Sequence, residues 1–161
     1  MPKVSAGLLV YRRSSEGDIE VLLVHPGGPF WARKDAGAWS IPKGEYGEGD
    51  DPAARAEKEF AEELGQGAPS GPRHDLGEVR QAGGKRVRAW AIRGDLDARA
   101  TTSNVFEMEW PPRSGEQRTF PEVDKAAWFS MEEARTKILA GQLPLLERLE
   151  SIAPSDDSLA D

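Results

Sequence analysis

Four glutamates fall within seven positions of the chain, in the segment EKEFAEELG at residues 57–65. A helix turns by ~100° per residue, so Glu59, Glu62 and Glu63 would share one face, while Glu57 would point to the opposite side. Carboxylates held that close repel one another, and carboxylate oxygens are ligands that Mg²⁺ and Mn²⁺ prefer. The spacing therefore allows either a divalent-metal site or a solvated acidic helix face.

The acidic segment needs a helix to align its carboxylates, and the surrounding residues predict one over residues 52–64. Asp51 suits the N-cap, Pro52 the first helical position, and Gly65 the left-handed residue that follows a helix. An apolar stripe that includes Phe60 can pack on a sheet. The predicted helix therefore has one face for the core and another for the glutamates.

A long loop dense in glycine and proline, at residues 26–52, precedes this helix. Loops of that length are uncommon unless they are functional. Arg33, Lys34 and Lys43 are candidates for phosphate binding, although ordinary surface charge also explains them. Trp31 is a candidate for stacking on a nucleobase, since aromatic rings do so with little base specificity. The loop therefore carries the candidate substrate-binding residues.

The stretch GEYGEGDDPAARAEKEFAEELGQ, residues 44–66, resembles the signature of the Nudix hydrolases. That signature is glycine, five residues, glutamate, seven residues, and then Arg-Glu-aliphatic-x-Glu-Glu-x-Gly-aliphatic. Asp50 stands in place of a glutamate, Lys58 in place of the arginine, and Gln66 in place of the last aliphatic residue. The positions that match outright at the required spacings are Gly44, Glu59, Glu62, Glu63 and Gly65.

The resemblance implies a Nudix fold, which is an α/β or α+β domain with a mixed sheet sandwiched between helices. It also implies hydrolysis of a nucleoside diphosphate linked to another moiety, with Mg²⁺ or Mn²⁺ as cofactor. Such a metal neutralises the diphosphate and lowers the pKa of a bound water. The implied metal-binding residues are Glu59, Glu62 and Glu63, with the Gly44 carbonyl as a further ligand and Asp50 as a supporting acid.

The resemblance also implies a general base, which takes a proton from the attacking water. In related enzymes the base is either a glutamate of the helix or an acid in a later loop. Glu122, six residues before Trp128, occupies such a loop, although a plain surface acid is the alternative. Lys58 is expected to hold a glutamate or a phosphate in place.

Apolar runs and turn residues outside the signature predict the remaining elements. Strands are expected before, between and after the helices, which favours a mixed sheet with helices packed against it. The predicted strands lie at residues 4–11, 19–25, 103–110 and 125–130, with a hairpin at 75–96 that turns at Gly83–Gly84. The predicted later helices lie at residues 131–141, where Ser130 and Glu133 form a capping box, and at residues 143–149.

The length of 161 residues predicts a single domain over residues 1–150, and the polar, acidic residues 151–161 predict a flexible C-terminal tail. A net charge of −7 argues against a protein that coats DNA. The absence of cysteine excludes disulfides and cysteine-ligated zinc. The apolar run GLLVY near the start is too short for a signal peptide or a membrane span, so we expect a cytoplasmic location.

The leading hypothesis is a metal-dependent pyrophosphohydrolase for a small nucleotide, of the nucleoside triphosphate or dinucleoside polyphosphate type. The alternative is a Nudix-fold module that binds or senses nucleotide with weak or no hydrolysis. Asp50, Lys58 and Gln66, which depart from the signature, keep that alternative open. The sequence indicates neither the individual substrate nor the oligomeric state.

Overall fold

The computed structural model describes residues 4–159. The strands in this part of the chain are β1 (Val4–Arg13), β2 (Ile19–Pro26), β3 (Lys43–Glu45), β4 (His74–Arg80), β5 (Arg86–Arg93), β6 (Val105–Glu109), β7 (Gln117–Pro121) and β8 (Val123–Ser130). The helices are α1 (Pro52–Leu64), α2 (Met131–Lys137) and α3 (Leu143–Leu159).

The main sheet has the strand order β4-β5-β1-β2-β8, and β3 pairs with β1 at the side. The β1–β5 pair is parallel, whereas the other pairs in this sheet are antiparallel. β6 and β7 form a separate antiparallel hairpin. The mixed sheet predicted from the order of the elements is therefore confirmed.

Each face of the sheet carries its own apolar core. Along β1, Leu9 and Tyr11 belong to the core beneath α2 and α3, while Leu8 and Val10 belong to the core beneath α1. Successive side chains of a strand point to opposite faces, so one strand supplies both cores. The sheet is thus sandwiched between helices, as expected.

The predicted bounds of α1 are confirmed at both ends. The Asp51 carboxylate accepts a hydrogen bond from Ala53 N at 3.1 Å, and Gly65 adopts the left-handed conformation with a φ of 68°. Phe60 and Leu64 are fully buried against the sheet. These contacts fix the rotation of α1, and that rotation determines the direction in which its glutamates point.

Several elements differ from the sequence prediction. β7, at Gln117–Pro121, is not among the predicted strands. α2 ends at Lys137, since Ile138 adopts an extended backbone conformation. α3 runs to Leu159 and buries Ala153, so residues 151–159 are helical, and the flexibility expected of this segment stays a prediction. Residues 160–161 of that expected tail lie outside the described residues.

Within residues 4–159, no helix combines the length and the apolar character needed to cross a lipid bilayer.

Candidate active site

A polar pocket of about 460 Å³ lies beside the glutamate face of α1, and we call it the acid pocket. Its position follows from the capped, buried helix, which turns its glutamates towards β3 and the start of β8. The structure therefore brings together most of the acids that the sequence predicted. The lining residues are Ser5, Lys43, Gly44, Glu45, Glu59, Glu62, Glu63, Asn104 and Glu122.

Glu63 is the most enclosed of the titrating acids in this pocket. Its Oε2 accepts a hydrogen bond from Lys43 N at 3.1 Å. Burial raises the pKa of Glu63 to about 8, helped by the charges of Glu59 and Glu122 and opposed by Lys43. Burial and the charge of Glu62 also raise the pKa of Glu59. Burial is therefore the main reason that both carboxyl groups hold their protons more tightly than an exposed glutamate does.

Gly44 allows Glu59 to approach the strand closely. A Cβ atom added at Gly44 would lie 2.0 Å from Glu59 Cδ, far inside the contact distance of two carbon atoms. Gly44 also pairs with Ala6 in the β1–β3 ladder, so its backbone is fixed. The glycine of the signature is therefore required for the position of the Glu59 carboxylate.

Glu122 is held near α1 by backbone hydrogen bonds. Glu122 N donates to Asn104 O at 2.9 Å, and Asn104 N donates to the backbone oxygen of Glu62 at 3.0 Å. Gly27 N also donates to Glu122 O at 3.0 Å. Asn104 was missed in the sequence, because a tether made by backbone atoms leaves no pattern in the side chains.

The acid pocket fits a hard divalent cation by the chemistry of its donors. Glu59, Glu62, Glu63 and Glu122 offer carboxylate oxygens, which Mg²⁺ and Mn²⁺ prefer. The Glu63 carboxyl group receives one backbone N–H bond, and its burial disfavours a negative charge that no cation balances. Among the described residues, no three acids or histidines already form a compact metal-binding group. The pocket therefore has suitable ligands that are not yet gathered around one point.

A second pocket of about 660 Å³ adjoins the acid pocket, and we call it the side pocket. The two pockets share Lys43, Glu63 and Glu122 as lining residues. Trp31 lines the side pocket, as expected for a stacking residue, and Lys85 adds a positive charge. Lys85 lies in the connection between β4 and β5, and nothing in the sequence indicates that this turn reaches the site.

Four other predicted residues are not among the described residues that line the two pockets. Arg33 and Lys34 are two of them. The Lys34 ammonium lies 5.1 Å from the centre of the Trp31 ring. Asp50 and Lys58 line a shallow depression beside the start of α1, so their predicted roles at the metal are at most indirect in this geometry.

In the absence of metal, we expect the protein to lose stability as the pH rises from about 5 to about 8. The Glu63 pKa is about 8 in the folded protein against an ordinary value of 4.5, so unfolding at neutral pH releases a proton and is favoured. Below pH 4.5 the Glu63 carboxyl group is protonated in both the folded and the unfolded protein, so it no longer lowers the free energy of unfolding.

Calorimetry in a chelator tests this expectation by comparing wild type with Glu63→Gln. The variant should melt a few degrees higher than wild type at about pH 8, and the difference should shrink towards about pH 5. A wild type that melts higher than the variant at the alkaline end would contradict the assigned burial of this carboxylate.

Comparison with known proteins gives a family match. The profile of the NUDIX domain family matches residues 1–149. A search of curated protein sequences found no match. A C. elegans Ap4A hydrolase in a binary complex has a TM-score of 0.63 and 23% identity to this chain, and the match covers 95% of this chain and 98% of the hydrolase. The NUDIX domain of Shewanella oneidensis NrtR with ADP ribose has a TM-score of 0.63 and 14% identity, and the match covers 94% of this chain and 88% of that domain. A mutT/nudix family protein from Listeria innocua has a TM-score of 0.62 and 18% identity, and the match covers 100% of this chain and 99% of that protein.

The structural likenesses show the fold, and the family profile covers nearly the whole chain. α1, Gly44 and the residues of the acid pocket all lie within residues 1–149, which the family profile matches. The chain belongs to the NUDIX domain family.

Proposed function

We propose that the protein is a metal-dependent pyrophosphohydrolase that cleaves a nucleoside diphosphate linked to another moiety. The observation that carries this proposal is the pair of adjoining pockets, one lined by acids and the other by Trp31 and Lys85. Lys43, Glu63 and Glu122 line both pockets. A substrate that spans the junction would place its phosphates beside the acids and its base or second moiety beside the tryptophan.

Bound Mg²⁺ or Mn²⁺ would supply positive charge for the diphosphate and lower the pKa of a water molecule. Glu59, Glu62 and Glu63 are the residues that would hold the metal, with Gly44 keeping Glu59 in place. Lys43 would attract the phosphate chain. The proton of the attacking water would pass either to a glutamate of α1 or to Glu122.

The similar structures are consistent with this class of substrate. One is an Ap4A hydrolase, and another was solved with ADP ribose. Both names refer to small molecules derived from nucleotides. We therefore predict that this chain acts on a substrate of the nucleoside triphosphate or dinucleoside polyphosphate type. A cytoplasmic location also stays a prediction.

Metal binding tests the proposal before a substrate is known. Mn²⁺ or Mg²⁺ at millimolar concentration should give a calorimetric binding isotherm and raise the melting temperature, because a ligand that binds only the folded state stabilises it. The absence of both effects would show that the acid pocket is not a metal site.

We expect Trp31→Ala to raise KM by about tenfold, which corresponds to the ~1–3 kcal/mol of one base–aromatic stack. The turnover number should change little, since Trp31 lines the side pocket and not the acid pocket. Steady-state kinetics on a cleaved nucleotide measure both parameters.

Phe30→Ala is the matched control for this prediction. Phe30 is the aromatic residue next to Trp31 in the chain, and its side chain is 61% exposed. The centres of the Phe30 and Trp110 rings lie 5.4 Å apart. It is not among the described residues that line the side pocket. Equal increases in KM for the two variants would rule out a specific stacking role for Trp31.

A further inference from the structure

Arg55 connects a glutamate of the acid pocket to the loop that precedes α1. Its Nη1 lies 3.4 Å from Glu59 Oε1, and its Nη2 lies 4.0 Å from Asp50 Oδ2. The Asp50 carboxylate in turn accepts a hydrogen bond from Gly47 N at 2.8 Å. The guanidinium thus lies between a side chain of the helix and an acid that is itself anchored to the loop.

Lys58, which stands where the family signature has arginine, makes a different contact. Its side chain is 61% exposed, and its Nζ lies 3.9 Å from Glu62 Oε1. Arg55 is more enclosed, at 27% exposure, and its partner Glu59 is at 18%. Arg55, and not Lys58, is therefore the basic residue that approaches both Asp50 and Glu59, and it lies one helical turn before Glu59.

We infer that Arg55 is a positioning residue that holds the Glu59 carboxylate in the orientation needed for metal binding. A guanidinium presents donors in a fixed planar fork and can address two carboxylates at once, which a single ammonium on a flexible stem does less well. Arg55 therefore acts on the metal through Glu59. This inference rests on the proposed function, because it assigns Glu59 to the metal.

Charge alone predicts the opposite effect of removing Arg55. Taking a positive group away from the acid pocket should strengthen the binding of a cation, since like charges repel. If Arg55 orients Glu59, its removal should weaken binding in spite of that gain. The sign of the change in metal affinity therefore distinguishes a positioning residue from a mere competitor for the carboxylate.

The experiment measures Mn²⁺ dissociation constants by calorimetry on the full chain, for wild type, Arg55→Lys and Arg55→Ala. Arg55→Lys keeps the net charge, so any loss of affinity in it reports geometry. Arg73→Ala is the matched control, since Arg73 donates to Glu57 of α1 from Nη2 at 2.8 Å and from Nε at 2.9 Å. Melting temperatures without metal report whether each variant is folded.

We expect Arg55→Ala to weaken Mn²⁺ binding by about tenfold and Arg55→Lys by a smaller factor, as is usual for residues behind a metal ligand. Arg73→Ala should leave the affinity within about twofold of wild type, because its pair lies on the opposite side of α1 from the glutamate face. The metal-free melting temperatures of the two Arg55 variants should stay near that of wild type, since partly exposed ion pairs contribute little to stability.

Unchanged or tighter binding in Arg55→Ala would overturn the inference, and so would an equal loss in Arg73→Ala. Wild-type protein that binds no Mn²⁺ would instead overturn the proposed function, and the inference with it. A loss of affinity that is confined to the Arg55 variants supports the inference.

Discussion

Replacing Glu63 by glutamine is expected to lower the turnover number roughly a thousandfold, within the range found for losing a positioned acid–base or charge-stabilising group. The amide keeps the shape of the side chain, and its oxygen can still accept the Lys43 N–H bond. What is lost is the negative charge that the Glu63 carboxylate would carry beside a bound metal at the junction of the two pockets. Steady-state kinetics with Mg²⁺ and with Mn²⁺ measure the effect.

Glu57→Gln is the matched control, because it makes the same change on the same helix. Glu57 points away from the acid pocket and is bound by two nitrogens of Arg73 at 2.8 and 2.9 Å. Its loss should alter turnover by less than about twofold, as for a surface ion pair. Comparable losses in the two variants would contradict the assignment of the glutamate face.

Gly44→Ala is expected to lower turnover by about a hundredfold and to weaken Mn²⁺ binding by about tenfold or more, with little change in stability. The added methyl would meet Glu59 Cγ, Cδ and Oε1 at 2.3, 2.0 and 2.4 Å. The mobile end of Glu59 can move aside, so the fold survives while the carboxylate leaves its position. Kinetics, Mn²⁺ calorimetry and metal-free melting temperatures together measure this result.

Gly47→Ala controls for the loss of a glycine three residues further along, in the loop that follows β3. The nearest atom to a Cβ at Gly47 is Asp50 Oδ2 at 3.6 Å, an ordinary van der Waals contact. This variant should bind Mn²⁺ and turn over substrate as wild type does. A Gly44→Ala protein with normal metal affinity would show that the position of Glu59 beside Gly44 does not matter for the metal.

The sequence was informative wherever the signal is local. The caps at Asp51 and Gly65 and the period of Phe60 and Leu64 predicted α1, since these effects act within one or two turns. The spacing of the signature then predicted that the glutamates would share a face. The acid pocket confirms that they do.

The remaining features of the site depend on contacts between distant segments. Glu122 is tied to α1 through backbone atoms of Asn104, and such bonds do not depend on side-chain identity. Lys85 reaches the side pocket only because β4 and β5 pair beside β1. The i, i+4 spacing of Arg55 and Glu59 is visible in the sequence, but the approach of Arg55 to Asp50 is visible only when the loop is folded.

The C-terminal segment shows the limit of composition as a guide. Residues 151–161 are polar and acidic, which is typical of a solvated tail. Ile152 and Ala153 nevertheless pack on the core beneath α3, and the helix continues to Leu159. The average composition of this segment therefore did not indicate that α3 continues beyond residue 149.

The most direct test of this account is product release from a panel of nucleoside triphosphates, dinucleoside polyphosphates and nucleoside diphosphate sugars. Each compound is incubated with wild-type protein in Mg²⁺, in Mn²⁺ and in chelator, and with Glu63→Gln in either metal. We predict that wild type cleaves the diphosphate bond of at least one compound, that chelator abolishes cleavage, and that Glu63→Gln reduces it strongly. Tight nucleotide binding without cleavage in either metal, or cleavage that persists in chelator, would contradict the account.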